Sequence, residues 1–539
     1  MPTAGCWTWP TLTDMEAADI QAAGRKISSI NPATGEVLQT FDCADDARVQ
    51  EAVQRARAAQ VTWAALGLHQ HIEVLRQFQK ELVEEKTRVA HLITQEAGKP
   101  SVESLITEVM VVLDACRFLI QESFSILRDK PVAHGNLVTK AKKGTIVRAP
   151  YGVIGIISPW NYPFATPATE VLAALVAGNA VVLKPSEYTP LCALKLEELL
   201  HRAGVPEDVF KVIVGDGSAG AALLGSAIDK LIFTGSVATG KRVAEAAAGR
   251  LLPVVLELGG KDPMLVLEDA DIDVASSGAV WGAFVNAGQA CLSVERCYVD
   301  RKVHEKFVNA CAEKATELRV GNGMLSTTDV GPLIHERQLE LVESHVEDAR
   351  RRGARVVTGG KRLPELGPTF YAPTVLSDVI HEMRIMREET FGPVLPIMAF
   401  DTEEQAVQLA NDSEFGLAAS VWTRNRAHGE KLARVISAGT VMVNDVVSCF
   451  GISEAPHGGV KASGIGRTHG SFGLEEMVTV KYLSSDRVAS IKKPWWYCYG
   501  EEFTRQMNGF VDLLFSRRLR DRVQGVSTSA GVLRRKGLL

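Results

Sequence analysis

Between residues 152 and 248 short aliphatic runs alternate with helix-forming stretches. GVIGIIS (152–158) is followed by a Pro/Trp loop and a helix near 167–177, and AVVLKP (180–185) by a helix over 189–203. FKVIVG (210–215) precedes a helix over 218–226, and KLIFTG (230–235) one over 238–248. Strands separated by helices are too far apart in sequence to close as hairpins. They pair in parallel, with helices on both faces of the sheet. A second α/β stretch runs from 260 to about 460, with strand candidates near 263–267, 295–300, 393–399 and 440–444. Residues 46–66 read as an amphipathic helix with Val49, Val53, Ala56 and Gln60 on one stripe, and 70–97 as another. From about 138 the pattern alternates around Lys143-Gly144 as a β-hairpin does, and VTVKYLS (478–484) is a late strand candidate.

At 539 residues the chain holds more than one core, about three domains at roughly 150 residues each. Its 46% hydrophobic and 23% charged residues exclude disordered, collagenous and coiled-coil classes. No run of about 18 apolar residues is free of charge, so a membrane span is not expected. Nine scattered cysteines without a CxxC pair argue against a disulfide framework or structural zinc, and favour a reducing compartment such as the cytoplasm. The N-terminus has neither a secretory nor a transit pattern. The net charge of −5 gives no sign of nucleic acid, but it is unevenly spread. Residues 487–539 hold eleven Lys/Arg and four Asp/Glu, a net +7, which leaves −12 on the remainder. Trp7, Trp9, Trp495 and Trp496 lie near the ends, and tryptophan is costly to leave in water, so both ends are expected to dock.

Several short motifs bear on chemistry. GDGSAG (Gly215, Gly217, Gly220) matches GxGxxG after a strand, which reads either as a pyrophosphate turn or as a tight strand–helix turn. In FTGSVATGK, Ser236 either donates to a phosphate or caps a helix. Cys291, in NAGQACLSVER, sits among small residues on a turn, as an accessible nucleophile would; a buried structural thiol is the alternative. Glu257, in LELGGKDP, is a carboxylate at a strand end beside two glycines that leave room for a ligand. Asn161, between the prolines of PWNYP, is an amide in a stiff loop, suited to an oxyanion or to an Asx-turn. In KPSE, Lys184 and Glu187 follow a strand, where a carboxylate accepts from ribose hydroxyls or simply opens a helix.

Taken in order, PWNYP, KPSE, FTGS, ELGGK, GQAC, EETFGPVLP (388–396) and PHGGVKASGIGR (456–467) resemble the NAD(P)-dependent aldehyde dehydrogenase superfamily over roughly residues 25–486. The resemblance implies an α/β fold with a Rossmann-type NAD-binding domain (1–127 and 151–259) and an α/β catalytic domain (260–462). It further implies a small β oligomerisation domain (128–150 and 463–486). Residues 487–539 form a basic, aromatic C-terminal arm without a counterpart. The implied chemistry oxidises an aldehyde to the carboxylic acid with NAD, NADP being possible, and needs no metal. Cys291 would be the nucleophile, Asn161 and the Cys291 N–H the oxyanion hole, and Glu257 the general base. Trp160, Lys184, Glu187, Gly217, Gly220, Gly235, Ser236, Glu389 and Phe391 would hold the cofactor. Tyr162, Thr166, Thr169, Val285, Leu292 and His457 would line the substrate tunnel.

The chain also departs from the family pattern. Thr468 stands where many members have Glu, and Glu170 where many have Lys, so a carboxylate has changed sides and Glu170 is expected to relay protons. His457 replaces a common Phe. Several tunnel positions are small, which leaves room for a bulky or long substrate, and no Arg pair for a carboxylated one is evident. Acylation of CoA, or a non-catalytic reuse of the fold, are the competing functions. A homodimer or homotetramer is expected. The arm, with Phe503, Met507, Phe510 and Leu514 on one helical stripe over 501–523, is read as docking on a partner subunit or, alternatively, on a membrane surface.

Overall fold

The computed structural model describes residues 25–135, 139–140, 142–487, 493, 495–497 and 499–533. Trp7 and Trp9, and the docking expected of the N-terminal end, lie outside these residues. Within them the chain forms two compact units, one of residues up to 128 together with 149–479, the other of 129–148 with 480–539.

The first unit is built on two sheets. One has the order Gly464–Ile465, Val254–Glu257, Lys230–Thr234, Val153–Ile157, Ala180–Lys184, Phe210–Val212, parallel except for its first, antiparallel strand. The other has the order Arg355–Thr358, Thr374–Ser377, Val394–Phe400, Val294–Asp300, Asp262–Val266, Ala418–Trp422, Thr440–Val443, again parallel except for its first strand. Val254–Glu257 ends at the C-terminal edge of the first sheet, and after four intervening residues Asp262–Val266 begins at the N-terminal edge of the second. The two edges are thereby brought together. Parallel strands align their C-terminal ends, so Ser158–Asn161, Lys184, Thr234–Ser236 and Glu257 share one edge, where open α/β sheets bind ligands.

The helix Asp46–Leu66 is capped by Asp45, whose carboxylate accepts from the Arg48 N–H at 2.9 Å. Its buried stripe extends to Trp63, which donates to the Leu175 carbonyl at 3.0 Å. The strands Thr374–Ser377 and Ala418–Trp422 were not legible. Four buried residues, or the Ala-rich AASVW, carry no period-2 signal. Two boundaries are corrected. Residues 463–479 belong to the first unit, because Gly464–Ile465 pairs with Val254–Glu257. There is also no hairpin turn at Lys143-Gly144. Lys142–Pro150 is one strand, antiparallel to Lys130–Val132, with Val132 opposite Gly144. Gly144 is small because a Cβ there would lie 2.8 Å from the Tyr482 hydroxyl.

In the second unit, Lys130–Val132 and Lys142–Pro150 share a three-stranded sheet with Val478–Asp486. The stripe read over 501–523 is not one helix. Glu501–Phe515 and Leu519–Leu533 form a helical hairpin broken at Ser516. Gly509 does not interrupt the packing but permits it, since a Cβ there would come 2.5 Å from Thr528 Cβ.

Candidate active site

Three consecutive left-handed residues, Asn286 (φ 52°), Ala287 (φ 54°) and Gly288 (φ 73°), set up the turn to Cys291. Non-glycine residues adopt this conformation only when their surroundings fix it. Buried Glu103 accepts from the Asn286 N–H at 2.9 Å, and Asn286 Nδ2 donates to the carbonyls of Asn161 (2.9 Å) and Gln289 (3.1 Å). Gln289 Nε2 donates to Asn286 O at 3.0 Å while its Oε1 accepts from Ile334 N at 2.9 Å. A Cβ on Gly288 would collide with the Gly392 carbonyl. Asn286, Gly288 and Gln289 are thus each required by a bond or a space. Cys291 is partly open to a cavity. Desolvation, with the nearby carboxyls of Asp262, Glu389 and Glu257, pushes its thiol well above the usual range.

Asn161 is held from below by a buried lysine that sequence patterns do not reveal. Lys99 Nζ bonds Glu108 at 2.6 Å and the Asn161 carbonyl at 2.7 Å, and stands 3.8 Å from the Tyr162 ring centroid. The second Glu108 oxygen accepts from the N–H groups of Phe164 (2.8 Å) and Ala165 (3.0 Å), capping the helix Ala165–Val176, whose own N-cap side chain does not. Lys99 and Glu108 reach these partners from about 60 residues away, beyond any local motif. Asn161 Nδ2 donates to Gln289 O at 3.0 Å. An amide has two such donors, which leaves one for an anion in the cavity.

Glu257 ends its strand with both carboxyl oxygens buried and without a hydrogen-bond partner among the described residues. Burial, reinforced by the Glu170 carboxyl and opposed by Arg467, pushes it well above the usual carboxylate range. His457 Nε2 lies 3.8 Å from Glu257 Oε2. Burial lowers that imidazole to about 3, so it is neutral and offers no compensating charge. Glu170 is itself raised to about 8 by burial, with Thr234 Oγ1 donating to Oε1 at 3.3 Å and Oε2 unpartnered. Buried orphan oxygens are rare in proteins and mark places where water or a ligand enters.

Glu389 Oε1 accepts from Gly260 N at 3.1 Å, and a Cβ on Gly259 would collide with the same carboxylate. Glu295 accepts from the N–H groups of Thr390 and Phe391, both at 2.8 Å, and pairs with buried Lys261. Together with Gln338 Nε2, which donates to the Thr390 and Phe391 carbonyls, it fixes Phe391 at φ 52° with its ring edge-on to Trp160, centroids 5.4 Å apart. Ser236 caps the helix Val237–Ala248, accepting from Thr239 N at 3.3 Å.

A cavity of about 600 Å³ brings together Trp160, Asn161, Tyr162, Thr166, Thr169, Glu170, Gly235, Ser236, Glu257, Cys291, Leu292, Glu389, Phe391, His457 and Thr468. Lys184, Glu187, Gly217 and Gly220 do not line it. Lys184 Nζ is 3.3 Å from Glu187 Oε2, and Gly220 faces the Lys184 stem. The GDGSAG turn is not an open pyrophosphate site, because Asp216 already caps that helix, accepting from Ser218 N at 2.9 Å and pairing with Arg25 at 3.3 Å. Val285 is corrected as a tunnel residue. It is buried where the chain leaves the helix Ile272–Phe284, and Trp281, one turn earlier, lines the cavity instead. Ile106, Met110 and Phe450, also lining it, belong to no recognisable motif.

The residues present fit a dinucleotide. Gly259 leaves the backbone bare beside Glu389, a helix N-terminus opens at Ser236, and Trp160 and Phe391 offer aromatic surfaces. A sequence profile of the aldehyde dehydrogenase family matches residues 20–483. The chain is 38% identical over 489 residues to 4,4'-diapolycopene aldehyde oxidase of Methylomonas sp, covering 91% of each. It is 39% identical over 462 residues to a putative succinate-semialdehyde dehydrogenase [NADP(+)] of Mycolicibacterium smegmatis, covering 86% of this chain and 89% of that one. The NAD+ complex of aldehyde dehydrogenase from Bacillus cereus superposes with a TM-score of 0.83 at 36% identity, over 86% of this chain and 94% of that one. The protein therefore belongs to the aldehyde dehydrogenase family and has its fold, a Rossmann-type sheet joined to a second α/β sheet.

Proposed function

We propose that the protein oxidises an aldehyde to the carboxylic acid, with NAD as hydride acceptor, through a covalent intermediate on Cys291. The observation that carries this reading is that Cys291, Asn161, Glu257 and Glu389 open on one cavity where the two sheets meet. Cys291, its proton released to solvent, attacks the carbonyl carbon as thiolate. The oxyanion of the thiohemiacetal is held by Asn161 Nδ2 and the Cys291 N–H, and losing one such donor costs about 3 kcal/mol in the barrier. Bound between Trp160, Phe391 and Glu389, with Gly235 and Ser236 along its path and Lys184, Glu187 and the turn of Gly217 and Gly220 toward its far ribose end, a nicotinamide dinucleotide would supply a hydride acceptor. The thioester left on Cys291 is hydrolysed by water that Glu257 deprotonates. Glu170, beside Glu257 and able to carry a proton at neutral pH, passes that proton on.

Transfer to CoA needs no base, whereas Glu257 is kept bare on the cavity that Cys291 also lines, which favours water. A non-catalytic role has no use for such a residue. Mixing protein, NAD and an aldehyde with and without CoA, and following absorbance, tests all three. CoA-independent NADH supports hydrolysis, strict CoA dependence supports acyl transfer, and no NADH defeats the enzymatic reading. The Glu187 carboxylate, where a 2′-phosphate would sit, favours NAD over NADP. For residues 487–539 we favour docking on a partner copy in a dimer or tetramer. The helical hairpin exposes Phe515, Leu519 and Val523 beside Arg517, Arg518, Arg520 and Arg522, and the rest of the chain carries the complementary negative charge. The same surface suits peripheral contact with anionic lipid, although no described helix is long and apolar enough to cross a membrane. The seven described cysteines are free thiols, in keeping with a reducing, cytoplasmic setting.

A further inference from the structure

The lining of the cavity divides at Cys291. Thr234, Ser236, Gln338, Glu389 and Phe391 lie to the dinucleotide side, on the strand ends and loops described above. The other set comes from different elements. Ile106 and Met110 are on the consecutive helical segments Ser104–Val109 and Met110–Leu127, Trp281 is on Ile272–Phe284, and Phe450 and Ile452 follow the strand Thr440–Val443. These five are apolar. Four of them stay open to solvent at the mouth, Met110 at 56%, Ile452 at 47%, and Ile106 and Trp281 at 40% each. Deeper in, Leu292 and Val111 continue the same surface. Isolated exposed apolar residues are ordinary, but four converging on one opening form a patch that marks a binding site for apolar matter.

Charge points the same way. No Lys or Arg is among the described residues lining this cavity, and its acidic members are Glu170, Glu257 and Glu389. The basic side chains nearby are engaged elsewhere, Arg467 with the carbonyls of Gly459 at 2.9 Å and Gly466 at 2.6 Å. Lys99 is locked to Glu108 beneath Tyr162, and Arg117, on the same helix as Met110, is paired with Asp114 at 2.8 Å and Glu454 at 2.6 Å. An aldehyde with a carboxylate at its far end would leave that charge in an apolar passage with no cation among its lining residues to meet it. A hydrocarbon tail loses nothing there and gains with each methylene removed from water.

Resting on the dehydrogenase reading above, we propose that the substrate is an aldehyde with a long apolar tail, the carbonyl at Cys291 and the tail running out past Trp281, Met110 and Ile452. Semialdehydes of dicarboxylic acids are selected against.

The test is a kcat/KM series with NAD over propanal, hexanal and decanal, with succinic semialdehyde alongside. The expected result is a rise of about fourfold per methylene while the tail is still being buried, with succinic semialdehyde below hexanal. Met110→Arg, on an exposed helix position, then lowers the decanal-to-propanal ratio at least tenfold. A flat or falling chain-length series, or succinic semialdehyde equal to or better than hexanal, overturns the proposal. If no aldehyde is oxidised, the dehydrogenase reading fails, and the substrate class is then decided by binding to Cys291→Ala, read by Trp281 and Trp160 fluorescence. Tighter binding of decanal than of propanal and succinic semialdehyde supports the inference, and the reverse order removes it.

Discussion

Replacing Glu170 by Gln puts a neutral amide of the same shape beside Glu257. Burial raises the Glu170 carboxyl from 4.5 to about 8. At about 1.4 kcal/mol per pH unit, keeping the ionised form in the fold costs on the order of 5 kcal/mol above pH 8. The folded chain binds this proton more tightly than the unfolded one, so stability is present below about 4.5 and lost progressively as pH rises to about 8. Glu170→Gln therefore gains on the wild type as pH rises, by little at pH 5, up to about 3 kcal/mol at pH 7 and up to about 5 at pH 8.5. These are upper limits, because the amide brings its own donors into a pocket with few partners. Urea unfolding at the three pH values measures the difference. Catalysis gives a second readout. Removing the Glu170 charge lowers the Glu257 pKa and moves the acid limb of kcat to lower pH, while loss of the relay lowers the plateau and spares the hydride step. A stability difference that is the same at pH 5 and pH 8.5 would refute the buried-carboxyl argument, and an unchanged kcat at every pH would refute the relay.

Three shorter predictions follow from the same geometry. Cys291→Ala loses turnover while NAD affinity, measured by calorimetry, stays within a few-fold; substantial residual oxidation would mean that another group is the nucleophile. Glu187→Gln frees Lys184 from its 3.3 Å partner and shifts the kcat/KM ratio toward NADP by about ten- to a hundredfold, on the order of 1–3 kcal/mol; a wild type that already prefers NADP contradicts the assignment. Deleting 487–539 lowers the oligomer mass seen by light scattering or changes the aldehyde profile. Unaltered mass and profile, together with loss of binding to anionic vesicles, would instead make the arm a lipid contact.

The parallel sheets were legible because their strands are buried on both faces and read as aliphatic runs with helices between them. Asn161, Glu257 and Cys291 were legible because each sits in a local motif whose glycines and prolines have a steric reason, such as Gly259 beside Glu389. Lys99, Glu103 and Glu108 were not. They act through long-range bonds to the loops they hold, and such bonds leave no periodicity or spacing. Val285 was misplaced because a turn of left-handed residues follows it directly, so that the helix end rather than the motif decides which side chain meets the cavity. Gly144 was misread because a glycine in an alternating run was taken for a turn, whereas it makes room for the Tyr482 and His134 side chains.

The central claim is that an acyl group passes through Cys291 and leaves by water that Glu257 activates. Rapid mixing of Glu257→Gln with NAD and aldehyde, followed by acid quench and peptide mass analysis, addresses it directly. The account predicts a burst of about one NADH per active subunit followed by slow turnover, with the acyl mass on the peptide that carries Cys291. Burst and steady state reduced by the same factor, or an acyl group absent from Cys291 during turnover, would contradict it.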